Sequence, residues 1–204
     1  MQIPSKYLEN ATEQIASLPG IGKKTALRLA LNLLQRSEIE ISDFTKAILE
    51  LKSNLVNCKS CGNISDDPVC SICINPSRDH SIVCVVEDIR DVMAIESTST
   101  FKGVYHVLGG LISPMDGIGP SDLNIDNLVL KAASSKLIEV IFALSSTMEG
   151  ETTNFYLFKK LQAFEILITT LSRGISVGSE LQYADEVTLG RSMQHRQPFQ
   201  LDIK

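Results

Sequence analysis

The sequence predicts an α+β chain assembled from several small parts rather than around one continuous core. Three observations carry this. Apolar residues recur at helical spacing near the start, four of the five cysteines crowd between positions 58 and 73, and from Ser81 onward strand-like runs alternate with helical ones. The expected boundaries are 1–57, 58–76, 80–172 and 173–204.

In the first part, residues 5–17 place Tyr7, Leu8, Ala11 and Ile15 at near-helical spacing. Leu18-Pro19-Gly20-Ile21-Gly22 then reads as a tight hairpin. A second helix, KKTALRLALNLLQR, is rich in Leu and Ala, with Leu27, Leu31 and Leu34 on one face. A third is expected from Ser42 to about Asn57, capped by Ser42 or Asp43.

The hairpin carries chemistry. Gly20 and Gly22 permit a turn and leave the backbone bare. A helix starting near Lys23 would point free N–H groups outward, and these favour a phosphate. From Gly20 to Arg36 there are four cations (Lys23, Lys24, Arg28, Arg36) and no acid. The whole chain is acidic, with a net charge of −5, which argues against bulk attraction to nucleic acid, so any phosphate contact should be local. An ordinary helix-turn-helix connection with solvated lysines is the alternative.

The second part, Cys58-x2-Cys61-x8-Cys70-x2-Cys73, has little apolar content and needs a staple. Each pair can set two thiolates on one knuckle, and two knuckles complete a tetrahedron for zinc. Four protein ligands leave no open position, so such a site is structural. Two disulfides or a redox pair are the alternatives. His80 reads as a surface histidine and Cys84 as a buried core thiol.

The third part predicts a mainly parallel sheet. Strands are expected at Ile82–Val86, Tyr105–Leu108, Val140–Leu144 and Phe164–Thr170. Helices are expected from Asp88 to about Ser97, from Leu123 to Ser135 and from Thr152 to Ala163. Glu87 follows the first strand and Asp91 lies one helical turn on, at the edge where open α/β sheets bind ligands. Glu149 and Glu151 follow the third strand. Together these acids could hold Mg²⁺, or they could simply cap helix starts. The Gly/Pro loop Leu108–Pro120 reads as a binding loop or interface and lacks the GK[ST] of a nucleotide-binding loop. No Ser-His-Asp or Cys-His arrangement is supported; the three histidines are scattered.

The tail beyond Gly174 is turn-rich, and Gln194–Lys204 suggests only an edge strand or interface. Aromatic residues make up 5% of the chain and Trp is absent, so the core must be aliphatic. No apolar run approaches the roughly 18–20 residues that span a bilayer. The polar start has no signal-like character, and the expected compartment is the cytoplasm.

The ordered blocks LPGIGKKTA, CKSC with CSIC, ICINPSRD, VCVVEDIRDVMAIE, YHVLGGLISPMDGIGP, EVIFALSSTMEGET and SRGISVGSELQYADEVTLGRSM cover nearly the full chain. They resemble the RecR family of bacterial recombination mediators. The resemblance implies a helix-hairpin-helix, a four-cysteine zinc element, a Toprim domain and a C-terminal Walker-B-like segment. It implies one structural zinc on Cys58, Cys61, Cys70 and Cys73, and DNA contact by Gly20, Gly22, Lys23, Lys24 and Arg28. Glu87 and Asp91 match Toprim acids associated with partner binding.

The implied role is a homo-oligomer, dimer to tetrameric ring, on gapped, single- or double-stranded DNA near the nucleoid. With RecO and RecF it helps RecA displace single-strand binding protein. Catalytic Toprim domains pair the strand-end Glu with a later Asp-x-Asp. Here Ser145-Ser146-Thr147 stands in that place, which removes the carboxylates expected to position Mg²⁺. The expectation is therefore a non-enzyme. A Toprim nuclease using Glu87, Asp91, Glu149 and Glu151, and a zinc-stapled interaction protein without DNA contact, are the competing classes.

Overall fold

The computed structural model describes residues 3–134, 136–196 and 198, and divides into two compact units, Met1–Leu55 and Val56–Lys204.

The first unit is helical. Helix α1 (Lys6–Ala16) starts at Ser5, whose hydroxyl accepts the Leu8 N–H. Leu18 C=O accepts the Ile21 N–H at 3.2 Å, so Pro19 and Gly20 occupy the centre of a β-turn. Gly20 has φ +78°, the left-handed conformation that a type II turn requires at that place. Helix α2 (Lys23–Leu34) follows. Its buried residues are Ala26 and Ala30, which let α1 and α2 approach closely. The expected leucine face is not the packed one: Leu31 and Leu34 are 42% and 75% exposed.

Helix α3 (Glu38–Asn54) begins at Glu38 and not at Ser42. Ser37 and Glu40 form a reciprocal capping box, a start signal stronger than either Ser42 or Asp43 offers mid-run. The helix stops at Asn54, because Val56–Asn57 is recruited as a strand.

The second unit opens with a small hairpin, β1 (Val56–Asn57) against β2 (Ile64–Ser65), and a one-turn helix, α4 (Ser71–Ile74). Then come β3 (Asp79–Val86), α5 (Ile89–Ser97), β4 (Gly103–Val107), α6 (Ile125–Ala133), β5 (Glu139–Phe142), α7 (Met148–Leu161) and β6 (Leu167–Thr170). The sheet order is β4-β3-β5-β6, and every pairing is parallel. Because side chains alternate along a strand, β3 serves two cores. Val83 and Val85 pack with Leu128, Val140, Leu157 and Leu161 on one face, while Cys84 and Val86 pack with Val92 and Tyr105 on the other. Helix α7 starts at Met148 rather than Thr152, because the Thr147 hydroxyl accepts the Gly150 N–H and caps it.

The Gly/Pro loop is stapled to itself and to the core. Ser113 and Ile118 exchange both backbone bonds, and the Ile112 N–H donates to the buried Thr153 hydroxyl at 2.9 Å. Beyond β6 the described tail holds one 3-10 turn (Leu181–Tyr183) and helix α8 (Glu186–Gln194), capped by Asp185. The expected edge strand or interface falls mostly on residues 197 and 199–204, outside the described residues.

Candidate metal centre and nucleic-acid interface

Cys58 follows β1 directly, Cys61 lies in the knuckle turn after it, Cys70 caps α4 and Cys73 sits within α4. The first knuckle closes through Gly62 N–H to Cys58 C=O at 2.8 Å and Cys58 N–H to Asn63 C=O at 2.7 Å. The Lys59 N–H reaches Pro68 C=O at 2.9 Å and brings the second pair alongside. All four sulfurs fall within 4.8 Å of one another, and Cys61 and Cys70 Sγ are 3.6 Å apart.

A tetrahedron with Zn–S bonds of about 2.3 Å has S···S edges of about 3.8 Å, so the cage has the size zinc needs. At 3.6 Å, Cys61 and Cys70 are not bonded to each other, against about 2.05 Å for a disulfide. Electrostatics agree. The hydrogen bond between Cys61 and Cys73 pushes the Cys61 thiol up and the Cys73 thiol down. Neighbouring sulfurs share protons unless a cation replaces them. The residues fit zinc, which would cross-link the two knuckles and leave no open position for chemistry.

His80 is exposed, and its Nε2 lies near Asn75 C=O, apart from the sulfur cage. Cys84 is 2% exposed and its thiol is pushed up to about 12 by burial, then by Asp91. It belongs to the core.

In the helical unit, the hairpin ends at Gly22, the N-cap of α2, which offers no side-chain acceptor. The first backbone bond of the helix is Ala26 N–H to Gly22 C=O at 3.0 Å. The N–H groups of the first turn are therefore open to an outside acceptor. Lys23, Lys24 and Arg28 are exposed. Lys24 and Arg28 flank a shallow groove of about 390 Å³ with Leu27, Leu31, Asn32 and Gln35.

Among the described residues, the cysteine cage is the one place where three or more metal-ligating side chains gather. The acids expected to share a site do not form one. Asp91 turns back on the backbone: its Oδ2 accepts the N–H groups of Glu87 and Asp88, while Asp88 caps α5 and pairs with Arg90. Glu151 pairs with Arg173 at 2.5 Å, and Glu149 is exposed in the first turn of α7. Glu87 remains half-buried at the carboxyl end of β3, its carboxyl pushed up by burial and then by Asp91 and Asp88.

Two buried polar groupings carry no signal in the linear motif. Arg78 makes a two-pronged pair with Glu96, which also accepts the Tyr105 hydroxyl at 2.7 Å. His106 lies within β4, where every residue is buried, and its own relative exposure is 0%.

Four segments of the chain match known families. Residues 8–52 match the RecR helix-hairpin-helix family, 55–75 the RecR four-cysteine zinc finger domain, 81–172 the Toprim domain and 174–197 the RecR C-terminal family. Curated relatives match along almost the whole length. Recombination protein RecR of Parabacteroides distasonis is 58% identical over 97% of this chain and 95% of its own. The Flavobacterium johnsoniae protein of that name is 56% identical over 100% and 99%, and that of Porphyromonas gingivalis 55% over 98% and 97%. The cage therefore holds a structural zinc, and the chain belongs to the RecR family of DNA recombination proteins.

Proposed function

We propose that this protein is a mediator of recombinational repair that grips gapped DNA by its phosphates. With RecO and RecF it promotes loading of RecA onto DNA covered by single-strand binding protein, without catalysis of its own. The observation that carries the reading is the bare start of α2: Gly20 and Gly22 leave the backbone open, and Lys23, Lys24 and Arg28 add charge beside it. Phosphates are bound there, and base sequence matters little.

One hairpin is a weak site, so a homo-oligomeric ring or clamp that presents several copies supplies the avidity. The exposed apolar side chains of α3, including Ile39, Ile48, Leu49 and Leu51, support self-association. Glu87, free of backbone duty at the end of β3, is the better partner-facing acid, and Asp91 holds the turn beneath it. The absence of catalysis rests on the Ser145-Ser146-Thr147 run after β5, where a catalytic Toprim domain carries acids. No described helix is long and apolar enough to cross a membrane; the protein works in the cytoplasm, at the nucleoid.

The test is a native gel of end-labelled gapped DNA with Mg²⁺ at low salt. Retarded, intact DNA that is lost in Lys23→Ala/Lys24→Ala supports the clamp. Faster fragments, absent with Glu87→Gln, would replace it with a Toprim nuclease. Unshifted DNA, alone and with RecO added, would leave a zinc-stapled interaction protein.

A further inference from the structure

Helix α7 has two unlike faces. Gly150, Thr153, Leu157 and Leu161 are buried, the two leucines in the core cluster that holds Val83 and Val140. The outward face carries Glu151, Phe155, Phe158, Lys159 and Gln162, three or four residues apart and all exposed. Phe155 is 59% exposed and Phe158 46%. Two such rings one turn apart form a continuous apolar platform, not a scattered exposure.

The platform is edged with positive charge. The Lys159 ammonium lies 4.6 Å from the centroid of the Phe155 ring, and that of Lys160 lies 5.5 Å from the centroid of Tyr156. A ring attracts an ammonium through its quadrupole and leaves the charge intact. Among the described residues neither lysine pairs with a carboxylate. Glu151, the acid one turn before Phe155, is neutralised by Arg173. Glu149 falls off this face by its spacing, and Glu165 lies beyond the helix. Two cations thus stand beside two rings, in a chain whose net charge is −5.

The occupant must offer negative charge and flat apolar faces together. A duplex offers phosphates but keeps its bases stacked on one another. A second copy in two-fold contact would set the same surface against itself, lysines facing lysines with no free acid on either side. A single strand offers both groups: bases with open faces, and phosphates between them.

We propose that the outward face of α7 is a second nucleic-acid contact, selective for single strands, in which Phe155 and Phe158 stack on unpaired bases and Lys159 and Lys160 hold the adjoining phosphates. It is separate from the hairpin at Gly20–Lys24, which meets phosphates alone. The proposal rests on the reading of the chain as a DNA-binding mediator.

The experiment is fluorescence anisotropy of the full-length, zinc-loaded protein at low salt, with labelled oligothymidylate and with a labelled duplex of equal length. Phe155→Ala/Phe158→Ala should weaken the single strand about tenfold and leave the duplex within about twofold. Lys159→Gln/Lys160→Gln should make the salt slope for the single strand shallower by about 1.4. Lys23→Ala/Lys24→Ala should weaken both DNAs. The chain has no Trp, so Phe155→Trp supplies a lone indole, whose fluorescence oligothymidylate should quench and the duplex should not. All four substituted positions on α7 are exposed, and unchanged melting verifies that the variants fold. Single-strand affinity within twofold of wild type in Phe155→Ala/Phe158→Ala, with Phe155→Trp fluorescence unmoved by saturating strand, overturns the proposal and leaves the hairpin reading standing. Loss of self-association in that double variant, with single-strand affinity intact, assigns the face to a second copy and likewise overturns it. A wild type that binds neither DNA overturns the DNA reading itself, and the proposal with it.

Discussion

Asp91 Oδ2 accepts the backbone N–H of Glu87 at 3.0 Å and that of Asp88 at 3.3 Å. The carboxylate therefore satisfies the turn between β3 and α5. A capping interaction of this kind is worth about 1 kcal/mol. Asp91→Ala should lower the unfolding free energy read from urea denaturation by about that amount, whereas Glu87→Gln should not lower it. Glu87 has a raised folded pKa, so its contribution to stability is present at acid pH and is lost as pH rises through the folded value. At neutral pH Glu87→Gln should accordingly be as stable as wild type or slightly more so. If Glu87→Gln abolishes RecO binding while the fold is intact, the partner role belongs to Glu87, and Asp91 acts through the turn.

Metal removal should unfold more than the knuckles. Cys61 C=O is bonded to β4 through Val107, and Cys70 N–H lies 3.3 Å from Cys58 Sγ. Losing zinc releases both. Cys70→Ser should cost several kcal/mol, and at about 2–4 °C per kcal/mol the melting temperature should fall by about 10 °C. Calorimetry with and without chelator checks this. Complete removal of zinc with no change in melting would exclude a structural role.

Salt tests the DNA contact. Each neutralised phosphate releases counterions, so the logarithm of affinity falls linearly with the logarithm of salt concentration. Lys23→Ala/Lys24→Ala should make that slope shallower by about two for each hairpin engaged, with little change between base sequences. A slope unaltered by the double substitution would place the phosphate contacts elsewhere.

The exposed place of Lys23 and Lys24 at the start of α2 is legible because a hairpin with glycines writes its own geometry into adjacent residues, and the gathering of the two CxxC pairs is legible in the same way. The alternation of strand and helix from Ser81 likewise announces the parallel sheet. What escapes is long-range. The Leu27, Leu31 and Leu34 stripe has the look of a core face, yet α2 packs through Ala26 and Ala30, since nothing in a helix's own sequence says which partner will meet it. The early start of α3 is written in Ser37 and Glu40, a local signal that a cap at Ser42 overlooks. His106 and Lys131 are 25 residues apart, and only the fold of β4 beneath α6 joins them.

Gly150 is another position set by the fold. A Cβ built there would sit 2.0 Å from the carbonyl oxygen of Ser145, far inside contact distance. That carbonyl belongs to the backbone leaving β5, so it cannot swing aside as a side chain would. Gly150→Ala should therefore displace α7 from the chain after β5 and cost about 2–3 kcal/mol, at the upper end of ordinary single substitutions. Chemical denaturation measures it. A neutral result would mean that α7 slides without loss.

Arg78 and Glu96 offer the last test. Arg78 also donates to Phe101 C=O at 3.2 Å and Gly103 C=O at 3.4 Å, so it ties the chain leaving the zinc element to the β4 edge. The Arg78 side chain is 15% exposed and that of Glu96 30%. The bond to Arg78, opposed by partial burial and helped by Tyr105, holds the Glu96 carboxyl below the usual range. For a carboxylate with a depressed folded pKa, the stabilisation is present above the unfolded value and is lost as pH falls through the folded one. The unfolded value is about 4.3, so wild type should lose stability below about pH 4.5 in part through this group. Glu96→Gln should flatten that acid limb. It should also cost about 2–4 kcal/mol at neutral pH, because a largely buried guanidinium is left without its charge partner. Urea midpoints from pH 3 to pH 7 for both proteins separate the two effects. Parallel acid limbs would show that Arg78 is served by the carbonyls of Phe101 and Gly103 and needs no charge from Glu96.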